Sequence, residues 1–172
     1  MGELQVQPTS ENLLEIARLA KQVFDFVIVD LGSVPETNNK NDFDSTSFWI
    51  SLADQVVLVV SADPVGIFRL LAIESSLLAL TAEPKLIVNR LRNSVIPQAK
   101  SEIKTTLSRL GAIEVVAFLP DDPIQVDQAI REGMVGSRLG RAGSFKTAVA
   151  IFTKSVILGR HGALDARVAK LG

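Results

Sequence analysis

Four short runs along the chain are apolar and rich in β-branched residues. They are residues 24–29 (Phe-Asp-Phe-Val-Ile-Val), 55–60 (Gln-Val-Val-Leu-Val-Val), 85–88 (Lys-Leu-Ile-Val) and 113–119 (Ile-Glu-Val-Val-Ala-Phe-Leu). The apolar positions are continuous rather than alternating, the pattern of strands buried on both faces in a parallel sheet. Residues 4–7 are one more candidate strand. Between the runs the apolar positions change to helical spacing. Residues 10–22 place Leu13, Leu14, Ala17 and Ala20 on one face, with Ser10 as a cap. Asp63-Pro64 and Asp122-Pro123 each offer a capping carboxylate followed by proline at the first helical position. Helices are therefore predicted over 64–80 and 123–132, the second closed by Gly133. Residues 97–110 and 144–158 complete the set, closed by Gly111 and Gly159. The polar stretch 33–47 reads as an exposed loop.

Strands alternating with helices of this length predict an α/β fold. The expected form is a doubly wound, mostly parallel sheet with helices on both faces. In such folds ligands sit beyond the carboxyl ends of the strands. The residues there are Asp30-Leu31-Gly32, Ser61-Ala62-Asp63, Asn89-Arg90 and Pro120-Asp121-Asp122. Carboxylates and amides at glycine and proline corners suit a metal–phosphate ligand and a polar ring. They do not suit a hydrolase triad, and no small-molecule metabolite substrate is expected.

Composition narrows the chemistry. The 172 residues contain no cysteine, which removes disulfides, thiol nucleophiles and cysteine-held metals. The only histidine is His161, which argues against a histidine metal site. The start lacks the basic and apolar regions of a signal peptide. The apolar run Val56–Val60 is far too short to span a bilayer. A cytoplasmic location is expected, with a peripheral site at the membrane or nucleoid as the alternative. The formal net charge of −1 hides a gradient. Residues 1–66 carry ten acids against three bases, and residues 131–172 carry eight bases against two acids. The basic end is where a non-specific DNA or anionic membrane contact would lie; a solvated helix face and a basic tail explain the same gradient without one.

The strand ends carry a resemblance. Phe24-Asp25-Phe26-Val27-Ile28-Val29-Asp30 resembles the Walker B strand of the ParA/MinD ATPases, the deviant-Walker P-loop class. Leu52-Ala53-Asp54-Gln55-Val56-Val57-Leu58-Val59-Val60 is similar to that family's following "A-D-x-V" strand. Leu86-Ile87-Val88-Asn89-Arg90 is similar to its "V-x-N-R" strand end. Leu119-Pro120-Asp121-Asp122 with Val126, Ala129 and Gly133 matches its "I-P-x-D…V…A…G" element. Each motif is weak alone, but order and spacing agree for all four. Within the family, the Asp-Leu-Gly after the first strand looks closest to the CpaE/TadZ branch, which acts in pilus assembly and polar positioning, with septum-site-determining relatives. The resemblance runs from about Leu4 to about Leu158; residues 1–158 read as a partial ATPase domain, with 159–172 a basic tail.

The resemblance implies roles by position. Asp30 would hold magnesium through water, a suitable task for a hard carboxylate ligand. Asn89 would contact the adenine ring, with Arg90 beside it. Pro120 and Asp122 would line the base pocket. The implied cofactor is Mg-ATP or Mg-ADP. Simpler readings exist: Asp122 is fully explained as a cap, and Asn89 and Arg90 as a strand end. Asp30 is harder to explain away, because an unpaired carboxylate at the tip of a buried strand is costly.

The family's phosphate-binding loop is not found. No Gly-Lys-Ser or Gly-Lys-Thr occurs, and residues 140–147 place Phe145 where a loop glycine is required. Only 29 residues precede Asp30, enough for one strand and one helix, so the first β-α-β unit is expected to be missing. The chain is then either a partial ATPase needing a complementing P-loop segment or a degenerate, non-catalytic interaction module. Isolated ATP hydrolysis is not expected in either case. An edge left by missing strands would favour a partner or a homodimer. The helix over 64–80 is apolar around most of its circumference, which means deep burial or a dimer contact. The tail holds Leu164, Val168 and Leu171 at helical spacing, a small face for a membrane-surface helix.

Overall fold

In the computed structural model of the chain, the described residues are 9–32, 45–92, 98–111, 113–134 and 143–159. The elements in order are α1 (Ser10–Val23), α2 (Ser45–Leu52), β1 (Val57–Ser61), α3 (Pro64–Leu78), β2 (Lys85–Leu91), α4 (Ala99–Leu110), β3 (Glu114–Pro120), α5 (Pro123–Arg131) and α6 (Ser144–Phe152). A wider π-type turn, Thr153–Leu158, continues α6. The predicted strand at 4–7 and the tail beyond 159 lie outside the described residues.

The fold is α/β. Among the described residues three strands form one parallel sheet in the order β1-β2-β3. Each crossover carries a helix, as parallel pairing requires. The core collects on one side, where Leu58, Leu86 and Val88 from the sheet meet Ile50 of α2, Leu70 and Leu77 of α3, and Leu107 of α4. Leu86 and Val88 are completely buried. Alternation along β1 puts Val59 on the other face, where it remains exposed.

The helix ends follow the sequence signals closely. The Gly66 amide donates to Asp63 Oδ1 at 2.9 Å, and the Gln125 amide donates to Asp122 Oδ1 at 3.2 Å. At the end of α5, Gly133 takes φ +59°. Its amide reaches the Ile130 carbonyl at 3.2 Å, and the Met134 amide reaches the Ala129 carbonyl at 3.0 Å. That pair of bonds is the Schellman closure, which a left-handed glycine permits. Gly66 has a packing role. A Cβ there would sit 2.4 Å from the Ser61 carbonyl oxygen, so α3 approaches β1 at a distance only glycine allows.

Several expectations need correction. No strand is assigned to residues 24–29, which follow α1 without helix or ladder. A strand is a property of a pair, and β-rich composition alone does not place a segment in the ladder of β1, β2 and β3. The cap of α1 is Thr9, whose Oγ1 accepts the Asn12 amide at 3.4 Å, and not Ser10. Residues 45–47, read as loop, open α2, whose Ile50 is drawn into the core. Helix α3 ends two residues early, at Leu78. Its Leu70 and Leu77 are buried while Phe68 is 72% exposed, so burial claims one face and not the circumference. The helix expected over 144–158 changes type at Thr153. The Thr153 and Ser155 hydroxyls donate to carbonyls four residues back, at 2.9 and 2.8 Å, and such back-bonding loosens the helical ladder.

Candidate functional site at the strand ends

The carboxyl ends of the three strands are tied together by backbone bonds. The Ala62 amide, just past β1, donates to the Asn89 carbonyl of β2 at 2.8 Å. The Asp121 amide, just past β3, donates to the Leu91 carbonyl at 3.0 Å. These bonds bring Ser61, Asn89, Arg90, Pro120 and the Asp122 cap to one rim. Four residues singled out in the sequence, Asn89, Arg90, Pro120 and Asp122, are therefore neighbours along this rim.

The backbone at Asn89-Arg90 is unusual. Arg90 has φ +57°, a left-handed conformation inside a strand. The register explains it: Val88 pairs with Phe118 and Leu91 with Pro120, so β2 carries two residues where β3 carries one. This is a β-bulge, and it turns a side chain out of the ladder. A left-handed non-glycine residue costs on the order of 1–3 kcal/mol, and such residues collect at functional sites. The Asn89 side chain supports the turn, its Oδ1 accepting the Arg90 amide at 2.8 Å. With Oδ1 engaged, the NH2 group remains as a donor.

Charges surround the rim. Arg92 pairs with Asp121 through Nε and Oδ2. A bond from the Ser61 hydroxyl, aided by the Gly66 amide at the start of α3, holds the Asp63 carboxyl below the usual range. Arg92 and Asp121 were not singled out for a role by the motif spacing. Their signal was available only as two charges flanking two strand ends that turn out to be adjacent.

Asp30 is exposed, and its Oδ1 accepts the Gly32 amide at 3.0 Å, with Gly32 at φ +66°. This local bond shapes the turn after residues 24–29. Leu31 next to it packs against the core cluster. Among the described residues no group of three or more acidic or histidine side chains gathers to hold a metal ion. A lone exposed carboxylate fits magnesium held largely by water and phosphate oxygens, which is how that ion usually binds.

A groove of about 500 Å³ lies between α5 and the start of α6. It is lined by Val126, Ala129, Ile130, Met134 and Phe145. At its head Gln125 is buried, and its Oε1 accepts the Lys146 amide at 3.3 Å. Gly143 leaves room for this amide group, since a Cβ there would fall 2.2 Å from Gln125 Nε2. Val126, Ala129 and Gly133, quoted as motif residues, therefore line this groove rather than the rim.

Among the described residues no helix is long and apolar enough to cross a membrane. No protein-family model matches the chain, and no curated protein matches it.

Proposed function

We propose that this chain is the nucleotide-pocket portion of a ParA/MinD-type ATPase, nearest the CpaE/TadZ branch. Its work would be the positioning of pili, a septum, or plasmid or chromosome cargo. On this reading the sheet is part of a larger doubly wound, P-loop-type sheet. The chain does not hydrolyse ATP alone, because the lysine-bearing glycine loop comes from a complementing segment. The observation that carries the reading is the bulge at Asn89-Arg90, where backbone strain is retained at the end of a central strand.

The residues take complementary parts. The NH2 group of Asn89 donates to an acceptor nitrogen of the adenine ring. Arg90, turned out by the bulge, flanks the base. Pro120 and Asp122 shape the loop beside it, and the Asp122 cap keeps that loop rigid. Asp30 orients water around magnesium, which when bound neutralises phosphate charge. The exposed apolar residues of the N-terminal region favour a second reading, a non-catalytic interaction module of the same fold.

Calorimetry with Mg-ATP separates the two. The chain alone should bind weakly or not at all. The chain co-expressed with a P-loop strand–loop–helix segment should bind, and Asn89→Ala should weaken that binding by about 1–3 kcal/mol. A complemented sample that binds no nucleotide overturns the ATPase reading.

A further inference from the structure

The bulge in β2 has to be held from both sides. An extra residue can slide along a strand unless the register before it and after it is fixed. Before it, Val88 is completely buried and pairs with Phe118, and the Asn89 carbonyl accepts the Ala62 amide. After it, Leu91 pairs with Pro120. Proline has no N–H to give a ladder, so this pair fixes the register poorly. Asp121, one residue past β3, makes up the difference. Its amide donates to the Leu91 carbonyl at 3.0 Å, and its carboxylate Oδ2 takes Arg92 Nε. One residue therefore grips two consecutive residues of the neighbouring chain, directly after left-handed Arg90. The Asp121 side chain is only 19% exposed, so its end of the grip sits largely out of water.

We propose that Arg92 and Asp121 are positioning residues, which together latch the end of β2 and keep Arg90 left-handed. Asn89 alone does not do this. Its Oδ1 bond to the Arg90 amide joins adjacent residues, and it travels with them if the bulge slides. With the latch open, the extra residue relaxes and Arg90 returns to the extended backbone of an ordinary strand. A shift of one residue also moves a side chain to the other face of the sheet. The latch therefore decides which face Arg90 serves. This extends the nucleotide reading above and rests on it in one respect: there, the latch is what stations Arg90 beside the base. Arg92 is more than half exposed, so the ion pair adds little stability of its own. Its effect is on conformation.

The test uses substitutions at Arg90 as a gauge of its backbone, read by thermal melting of the full chain. Arg90 is exposed, so its side chain contributes little through burial. Glycine accepts a left-handed backbone and a β-branched residue resists it, whereas in an extended strand valine is the better residue. With the latch intact, Arg90→Gly should melt above Arg90→Val by about 5 °C. With Arg92→Gln added to each, the order should invert, and Asp121→Asn should invert it in the same way. Arg92→Lys, which keeps the cation but not the planar fork, should leave glycine above valine by a smaller margin. A pair that merely added stability would lower every midpoint alike and leave the order unchanged. Glycine above valine with the latch removed overturns the proposal, because the bulge then holds itself. Valine level with or above glycine in the otherwise unaltered chain overturns it too, because Arg90 is then not left-handed in solution. No nucleotide enters these melts, so they succeed or fail independently of the Mg-ATP titration.

Discussion

Residues 26–29 (Phe-Val-Ile-Val) and 86–88 (Leu-Ile-Val) are nearly the same string of side chains. Leu86 and Val88 are completely buried, yet Ile28 is 92% exposed. The second string has β1 on one side, β3 on the other, and α2, α3 and α4 supplying core residues to one face. The first lies outside that ladder, and most of its side-chain surface meets solvent at Ile28. Composition sets how much a segment gains from cover, and its neighbours decide whether the gain is realised.

The sharpest way to break this comparison is to truncate both strings. Leu86→Ala should cost about 2–5 kcal/mol, because it opens a cavity among Leu58, Leu70 and Leu107. Ile28→Ala should change stability by less than about 0.5 kcal/mol, as an exposed substitution does. Urea denaturation of the two variants measures both, and equal losses would mean the N-terminal segment is buried in solution. A smaller effect is expected where the sheet meets α3. Gly66→Ala should destabilise by about 1–3 kcal/mol, since its methyl group meets backbone that has no rotamer to yield. Thermal melting reads it, and an unchanged midpoint would contradict the close approach of α3 to β1.

A smaller effect than at Gly66 comes at the cap. Asp63→Ala should cost about 0.5–2 kcal/mol at neutral pH through loss of the bond to Gly66. The folded carboxyl is held below its unfolded value of about 3.9, so its contribution is complete above that pH and disappears as pH falls through the folded value. Denaturation at pH 7 and at pH 2–3 should therefore give a wild-type to variant gap that narrows in acid. A gap that widens would reverse the assignment.

Much of the fold was legible in one dimension because the signals are local. Asp63-Pro64 and Asp122-Pro123 start α3 and α5 because cap and first turn lie within four residues. Gly133 closes α5 because left-handed geometry is cheap for glycine. What failed was non-local. The strand expected at 24–29 needed a place in the β1-β2-β3 ladder, and the burial expected around α3 needed a second surface. Within the candidate site, Asn89, Arg90, Pro120 and Asp122 were readable as strand ends. The extra residue in β2 was not, because a bulge exists only relative to the strand it is counted against.

The sequence by itself determined the alternation of strands and helices, the caps and turns that punctuate it, and the absence of cysteine chemistry. Each follows from residue type and short spacing. Tertiary structure alone decided which apolar runs are core, that three strand ends share one rim, and that Arg90 is left-handed. It also decided that residues 24–29 lie outside the ladder of β1, β2 and β3. Those outcomes depend on which surfaces meet, and a residue's need for cover does not specify the neighbour that provides it.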